Sequence, residues 1–199
     1  MSSRVPIFRA FPRVGLPPLF AGWDDFSRRV EMLSEAGVIE DYTYLWYDVR
    51  PHPRLGTIEI RAMDSQTRVE HTLALAALVQ SLVKLLTEEF QASGEILDPP
   101  WELLDENRWL AARHGLEAEL LDARSGERRG VRDLTQELMG RLEPHARELG
   151  CAEELAGLSE VLRAGNGAQR QQMVFEANHD LRELVGEIVE RTAPSLPGA

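Results

Sequence analysis

Cysteine is nearly missing from the 199-residue sequence: Cys151 stands alone, so no internal disulfide is possible. A reducing, intracellular compartment fits that usage, and we expect a cytoplasmic protein. Basic residues are also scarce. Lys and Arg number 22 against 33 Asp and Glu, a net charge of −11. Such a chain repels phosphate backbones and anionic membranes, so no nucleic-acid or membrane partner is expected, although a local basic cluster can still hold a small anion. Long uninterrupted apolar runs are lacking too. The opening MSSRVPIFRAFPRVGLPPLF is broken by Pro6, Pro12, Pro17 and Pro18, which excludes a signal peptide or a span there. The richest later run is interrupted by Gln80, Ser81 and Lys84 and reads as short of a span.

The usual chemical signatures are absent as well. There is no glycine-rich phosphate loop ending in Gly-Lys-Ser/Thr, no G-x-S-x-G, no HExxH and no Cys/His zinc spacing. His52, His71, His114, His145 and His179 are scattered, and His71 is the most buried by pattern. Cys151 reads as a small apolar filler near a helix start rather than as a reactive thiol.

What is present reads as an α+β chain. Residues 1–22 read as extended chain and loop because of their prolines. WDDFSRRVEMLSEAG predicts a helix capped by Asp24 or Asp25 and ended by Gly37. VIEDYTYLWYDVRPH reads as a strand to about Arg50, RPHPRLG as a loop and TIEIRAMD as a second strand. In Thr57-Ile58-Glu59-Ile60-Arg61 the alternation sends the two isoleucines to one face and Thr57, Glu59 and Arg61 to the other. Residues 67–91 form the strongest helical pattern, apolar around most of its circumference and so expected to be deeply buried. WELLDENRWLAARHG predicts a helix ending at Gly115, and LEAELLDARSGERRGV a hairpin turning at Arg124-Ser125-Gly126. Residues 132–192 read as helices broken near Gly150 and Gly165–Gly167. Leu134, Leu138 and Leu142 form one core stripe; Leu181, Leu184, Val185 and Ile188 form another. The expected division is 1–131, a sheet-and-helix part, and 132–199, a helical segment packed on it.

One concentration of charge stands out against the acidic background. Arg4, Arg9 and Arg13 precede the first strong helix pattern, and Arg50, Arg54 and Arg61 bracket Glu59. A guanidinium presents a planar fork matched to carboxylate and phosphate oxygens. A carboxylate among such groups can pair with an arginine or help to ligate a divalent cation. Spacing alone leaves both open, beside the plainer reading of a solvated strand face laced with ion pairs.

Asp48–Val83, DVRPHPRLGTIEIRAMDSQTRVEHTLALAALVQSLV, resembles the carboxylate–amine ligases of the glutamate–cysteine ligase type 2 family, through a D-x-R-P-x-P-x-x-G-T-x-E-x-R pattern. The likeness extends to Ser3–Pro18, Glu106–Asp122 and the C-terminal helices. The strand also resembles the R-x-E-x-R strand of glutamine synthetases, which is followed by an aspartate and an Ala/Leu-rich helix. The resemblance implies a glutamine-synthetase-like antiparallel sheet forming an open funnel. It also implies an ATP-dependent ligase that phosphorylates the carboxylate of glutamate or a similar amino acid and passes it to an amine such as cysteine. By resemblance Glu59 is a metal-binding glutamate for Mg²⁺ or Mn²⁺. Arg61 and Arg50 are catalytic arginines, and with Arg4 they face phosphate or substrate carboxylate.

Family members are much longer, and this chain matches their C-terminal half. A glutamate-rich G-x-E-x-E-like strand and a strand bearing a metal-site histidine lie in the other half and do not occur here. A fragment, a misassigned start and a half-protein completed by a partner all fit. The alternative function is a catalytically incomplete half-ligase that binds nucleotide or carboxylate as a regulatory subunit. A half-sheet leaves an unpaired edge, so we expect a homo-oligomer or pairing with a complementing N-terminal half.

Overall fold

The computed structural model describes residues 2–193. The chain opens with a short helix, α1 (Arg4–Phe8), where extended chain was expected. Pro6 is tolerated because it lies in the first turn, whose N–H groups have no intrahelical acceptor. A two-residue strand, β1 (Val14–Gly15), pairs in parallel with β2 (Trp46–Tyr47). Between them runs α2 (Trp23–Glu35). Its N-cap is Gly22 rather than Asp24 or Asp25. Asp25 instead lies inside the first turn, where it accepts from the Ala21 N–H and pairs with Arg28 and Arg29.

The segment read as one long strand is divided. Asp41 caps a single 3-10 turn at Tyr42–Tyr44 by accepting from the Thr43 N–H, and extended backbone resumes in β2. Strands β3 (Val49–His52) and β4 (Thr57–Ile60) then form an antiparallel hairpin that sets Arg50 opposite Glu59. The turn between them uses Gly56 at φ 61°, a left-handed conformation that costs glycine little.

Helix α3 (Val69–Ser93) follows, then α4 (Trp101–His114) and a second antiparallel hairpin, β5 (Glu119–Leu121) with β6 (Arg128–Gly130). The remaining described chain is α5 (Val131–Leu149), α6 (Ala152–Ala156), α7 (Leu158–Ala164), α8 (Gly167–Asn178) and α9 (Leu181–Thr192). The α+β class holds. The described strands make three separate two-stranded ladders, one of them parallel, where a single antiparallel sheet was expected.

Two apolar cores organise the molecule. Phe26, Ile39, Tyr42 and Leu45 fasten α2 to the strand region. Ala74, Ala77 and Leu85 of α3 pack with Leu142 and Ala146 of α5, Leu155 of α6 and Leu158 of α7. Alanines at this contact let the helix backbones approach closely. The second core thus joins residues from both sides of position 131.

Helix α3 is buried along one stripe only: Leu73, Leu86 and Phe90 are exposed, contrary to burial on all sides. By length and composition alone it is long and apolar enough to cross a membrane, although its polar interruptions make it read as short of a span. Its polar interruptions serve the packing here. Ser81 is fully buried, with its Oγ 3.8 Å from Cys151 Sγ, and Lys84 reaches Glu148 of α5 at 2.9 Å. The stripe on α9 also departs from a plain core, since Leu181 and Val185 are exposed while Leu184 and Ile188 are half-buried. The final TAPSLPGA reads in sequence as a frayed tail; its Thr192 closes α9, and residues 194–199 lie outside the described residues.

Candidate functional site

The β3–β4 hairpin builds the site. Its register places Arg50 and Glu59 on directly opposed positions, and Arg61 follows Glu59 on the same face. The Glu59 carboxylate is held from both sides. Arg50 Nε donates to Oε2 at 2.7 Å, and Arg61 Nη1 donates to Oε1 at 2.6 Å. The Arg50 guanidinium is the chief cause that holds the Glu59 carboxyl below the usual carboxylate range; partial burial opposes it and Arg61 assists.

Arg50 is buried, and its Nη1 donates to the carbonyls of Thr43 at 2.6 Å and Leu45 at 2.8 Å. Its Nε and Nη1 donors are taken up by Glu59 and by those two carbonyls. Arg50 thus lies behind Glu59 and holds one of its oxygens, while Arg61 holds the other. Arg61 is about one-third exposed, and beyond its bond to Glu59 its guanidinium makes no other hydrogen bond within the described residues. Arg4 joins the group from α1, with Nη2 donating to the Arg61 carbonyl at 2.6 Å. Arg4 also stacks over Phe8, 5.3 Å from the ring centre. Three guanidiniums and one carboxylate therefore gather at the end of the hairpin.

The other arginines go elsewhere. Arg9 pairs with Asp105 of α4 at 2.6 Å, Arg13 donates to the Tyr44 carbonyl at 3.4 Å, and Arg54 lies 3.8 Å from Asp41 near the hairpin turn. His71 lies apart from the cluster. It lines a small cleft with the ion-paired Arg68 and Glu160 and with Arg170, Glu187 and Arg191.

Sequence reasoning missed the joint that carries the cluster. The Asp48 N–H donates to the Gly15 carbonyl at 2.7 Å, and its own carbonyl accepts from the Arg61 N–H at 2.7 Å. Its carboxylate receives Arg108 of α4 in a forked pair, Nε to Oδ2 at 2.6 Å and Nη2 to Oδ1 at 3.2 Å. A side chain at Gly15, where φ is 95°, would meet that guanidinium at 3.6 Å. Asp48 thus ties β1, the end of β4 and α4 together beside the arginines. The only sequence signal was its place at the head of the D-x-R-P pattern; the partner lies 60 residues away.

A divalent cation needs several oxygen ligands. Among the described residues no group of three His, Cys, Asp or Glu side chains could hold one, and both Glu59 oxygens face guanidiniums. The described residues alone therefore do not fit a metal ion. They fit an anion, through the open side of Arg61.

The chain is 44% identical over 201 residues to a protein of Rubrobacter xylanophilus provisionally named glutamate–cysteine ligase 2-1, covering 99% of this chain and 52% of that protein. A second Rubrobacter xylanophilus protein, provisionally named glutamate–cysteine ligase 2-3, is 49% identical over 193 residues, covering 96% and 51% respectively. A Sorangium cellulosum relative, provisionally named glutamate–cysteine ligase 2, is 35% identical over 195 residues, covering 98% and 52%. The chain therefore spans about half the length of the curated relatives it matches. The family model described as glutamate–cysteine ligase family 2 matches residues 1–190, and the chain belongs to that family.

Proposed function

We propose that the chain is the C-terminal part of an ATP-dependent carboxylate–amine ligase with a glutamine-synthetase-like catalytic fold. It joins glutamate, or a similar amino acid, to an amine such as cysteine. The carrying observation is the Arg50–Glu59–Arg61 clamp with Arg4 fastened to it, in a chain of this family.

The reaction fits the residues. A substrate carboxylate oxygen attacks the γ-phosphorus of ATP, ADP leaves, and an acyl phosphate forms. The amine then attacks the acyl carbon, phosphate departs, and the amine proton passes to solvent, leaving an amide. In the first step negative charge on the transferring phosphoryl group must be neutralised. Arg61 supplies its open donors, Glu59 fixes their direction and Arg50 fixes Glu59. Mg²⁺ or Mn²⁺ belongs to this reading only if ligands outside the described residues complete a cation site.

The half-length match to the relatives motivates a second element of the reading: another polypeptide segment completes the cavity. The exposed Ile58, Leu55 and Val49 of the hairpin are consistent with a surface that such a segment covers. The test is coupled ADP release with glutamate and cysteine, run on the chain alone and on the chain joined to the N-terminal half of a Rubrobacter xylanophilus relative. ADP release from the joined protein that falls at least tenfold in Arg61→Ala is expected. No ADP release with any amino acid and amine overturns the reading.

A second reading has its own observation. Both Glu59 oxygens are held by arginines and no cation cluster accompanies it among the described residues, which suits a half-ligase that binds nucleotide or carboxylate without turnover. Calorimetry separates the two. ATP binding that survives both Mg²⁺ chelation and Glu59→Gln favours the binding subunit.

A further inference from the structure

The peptide units on either side of Arg61 are held from different parts of the chain. Extending the β3–β4 register by one pair sets Arg61 opposite Asp48. One cross-strand bond forms there, from the Arg61 N–H to the Asp48 carbonyl at 2.7 Å. The Asp48 N–H turns away to Gly15, and the Arg61 carbonyl accepts from Arg4. The strand ladder thus gives out where Arg61 begins. Glu59 holds the tip of the Arg61 side chain, but its root depends on what holds Asp48 and Arg4.

Helix α4 reaches both. Arg108 grips the Asp48 carboxylate in its fork, and Asp105, one turn earlier, pairs with Arg9 at the end of the short helix that carries Arg4. The start of that segment is fastened to α4 as well, through the Ser2 N–H and the Ala112 carbonyl at 2.7 Å. The two ion pairs differ in cover. The Arg9 side chain is 54% exposed, whereas those of Arg108 and Asp48 are 14% and 11% exposed. Desolvation offsets most of the attraction in a pair so withdrawn from water, so it adds little stability that apolar contact would not. What the fork does supply is direction, because two parallel bonds fix an orientation that one bond leaves loose.

We propose that Asp48 and Arg108 are positioning residues for Arg61. They act at a remove from the bound anion. Arg108 fixes the Asp48 side chain, and the Asp48 carbonyl fixes the backbone from which the Arg61 guanidinium is aimed. A displacement of about 1 Å at a reacting group can lower a rate on the order of a hundredfold, so a pair that never meets the substrate can still govern turnover. The inference rests on the ligase reading for the reaction that Arg61 serves. The aiming of Arg61 at a phosphate group is the same whether or not turnover follows.

The test is a double-mutant cycle with two readouts: ATP affinity of the full chain by calorimetry, and kcat/KM for ATP in the ADP-release assay of the joined protein. Combining Asp48→Asn with Arg108→Gln removes both charges at once, so neither is left buried alone. This paired variant is expected to lower both readouts by at least about tenfold when Arg61 is present. In the Arg61→Ala background the same change is expected to cost less than about twofold, because its target is gone. Arg108→Lys keeps the charge and loses the fork, and should fall between the parent and the paired variant. Equal losses with and without Arg61, or no loss in either, overturn the proposal, since a merely structural pair would cost the same in both backgrounds. If the paired variant does not fold, Arg108→Lys carries the same cycle. Where only the joined protein binds nucleotide, its cycle decides. Coupling in ATP affinity without ADP release sinks the ligase reading alone, and ADP release with an additive cycle sinks the positioning role alone. Neither ATP binding nor ADP release overturns both.

Discussion

The strand region and the helical core deal with charge in opposite ways. Asp25, Asp48 and Arg50 are buried in the strand region and around α2, whereas Ser81 is the one buried polar residue identified in the helical core. In the helical part the ion pairs keep part of their surface in water, most fully at Arg141–Glu89 and less so at Arg170–Glu187. A buried ion pair seldom adds more stability than apolar residues of the same volume would, because desolvation opposes the attraction. The helical half follows that preference with alanine and leucine. The strand half departs from it where the arginines converge, and there the network fixes directions of side chains instead of simply filling space.

The largest effect expected from breaking this contrast is at Arg50. Arg50→Met keeps volume but strips Glu59 and the Thr43 and Leu45 carbonyls of their donor. We expect a loss of about 4 kcal/mol in urea unfolding, since two backbone carbonyls and the partly exposed Glu59 carboxylate all lose the donor that the buried guanidinium supplied. A loss below about 1 kcal/mol would show the network to be surface decoration. Leu142→Ala attacks the other region. Leu142 is fully buried between α3 and its neighbours, and the cavity should cost about 3 kcal/mol. Nucleotide binding should persist under conditions where Leu142→Ala is folded, and fall at least tenfold in Arg61→Ala. Equal loss in both would merge the two regions functionally.

Glu59→Gln comes next, at about 2 kcal/mol, because a neutral amide keeps shape but gives up two charge-assisted bonds and Glu59 is partly exposed. Its pH dependence gives the sign. The folded carboxyl is held below its ordinary value of 4.5, so its stabilisation is present above that value and drains away as pH falls through the folded one. Acid titration of stability should therefore be shallower below about pH 4.5 in Glu59→Gln than in the parent. Parallel acid profiles would mean that the clamp does not persist in solution.

Much of the architecture was legible because its signals are local. The alternation at 57–61 set the faces of β4, and the breaks at Gly150 and Gly165 fell between helices. The failures share a cause in distance or in cover. Four prolines hid α1, because a first-turn proline looks the same as a loop proline in sequence. The parallel pairing of Val14 with Trp46 and the fork from Arg108 to Asp48 join residues far apart, and no local period encodes them. The apolar circumference of α3 gave its type correctly and its burial wrongly. Periodicity reports what a helix can bury, while packing partners decide which stripe it does bury. Of the candidate site, Arg4, Glu59 and Arg61 lie together as the strand pattern and resemblance implied, but neither revealed that Arg50 would be buried behind them.

The smallest effect lies one residue from one of the largest. Arg141 precedes Leu142 on α5 and reaches across the same α3 interface to Glu89 at 2.9 Å, yet both side chains are about half exposed. Water screens that pair, and holding two long side chains in one geometry costs entropy that offsets most of the attraction. Arg141→Ala should change stability by no more than about 0.5 kcal/mol, and raising the salt concentration should erase even that. The adjacent positions thus isolate burial from location, because they share a helix and a neighbouring element. If Arg141→Ala approached the cost of Leu142→Ala, surface charge would be holding α3 against α5. The contrast between a core built of apolar contact and a strand region built of directed charge would then fail on the helical side.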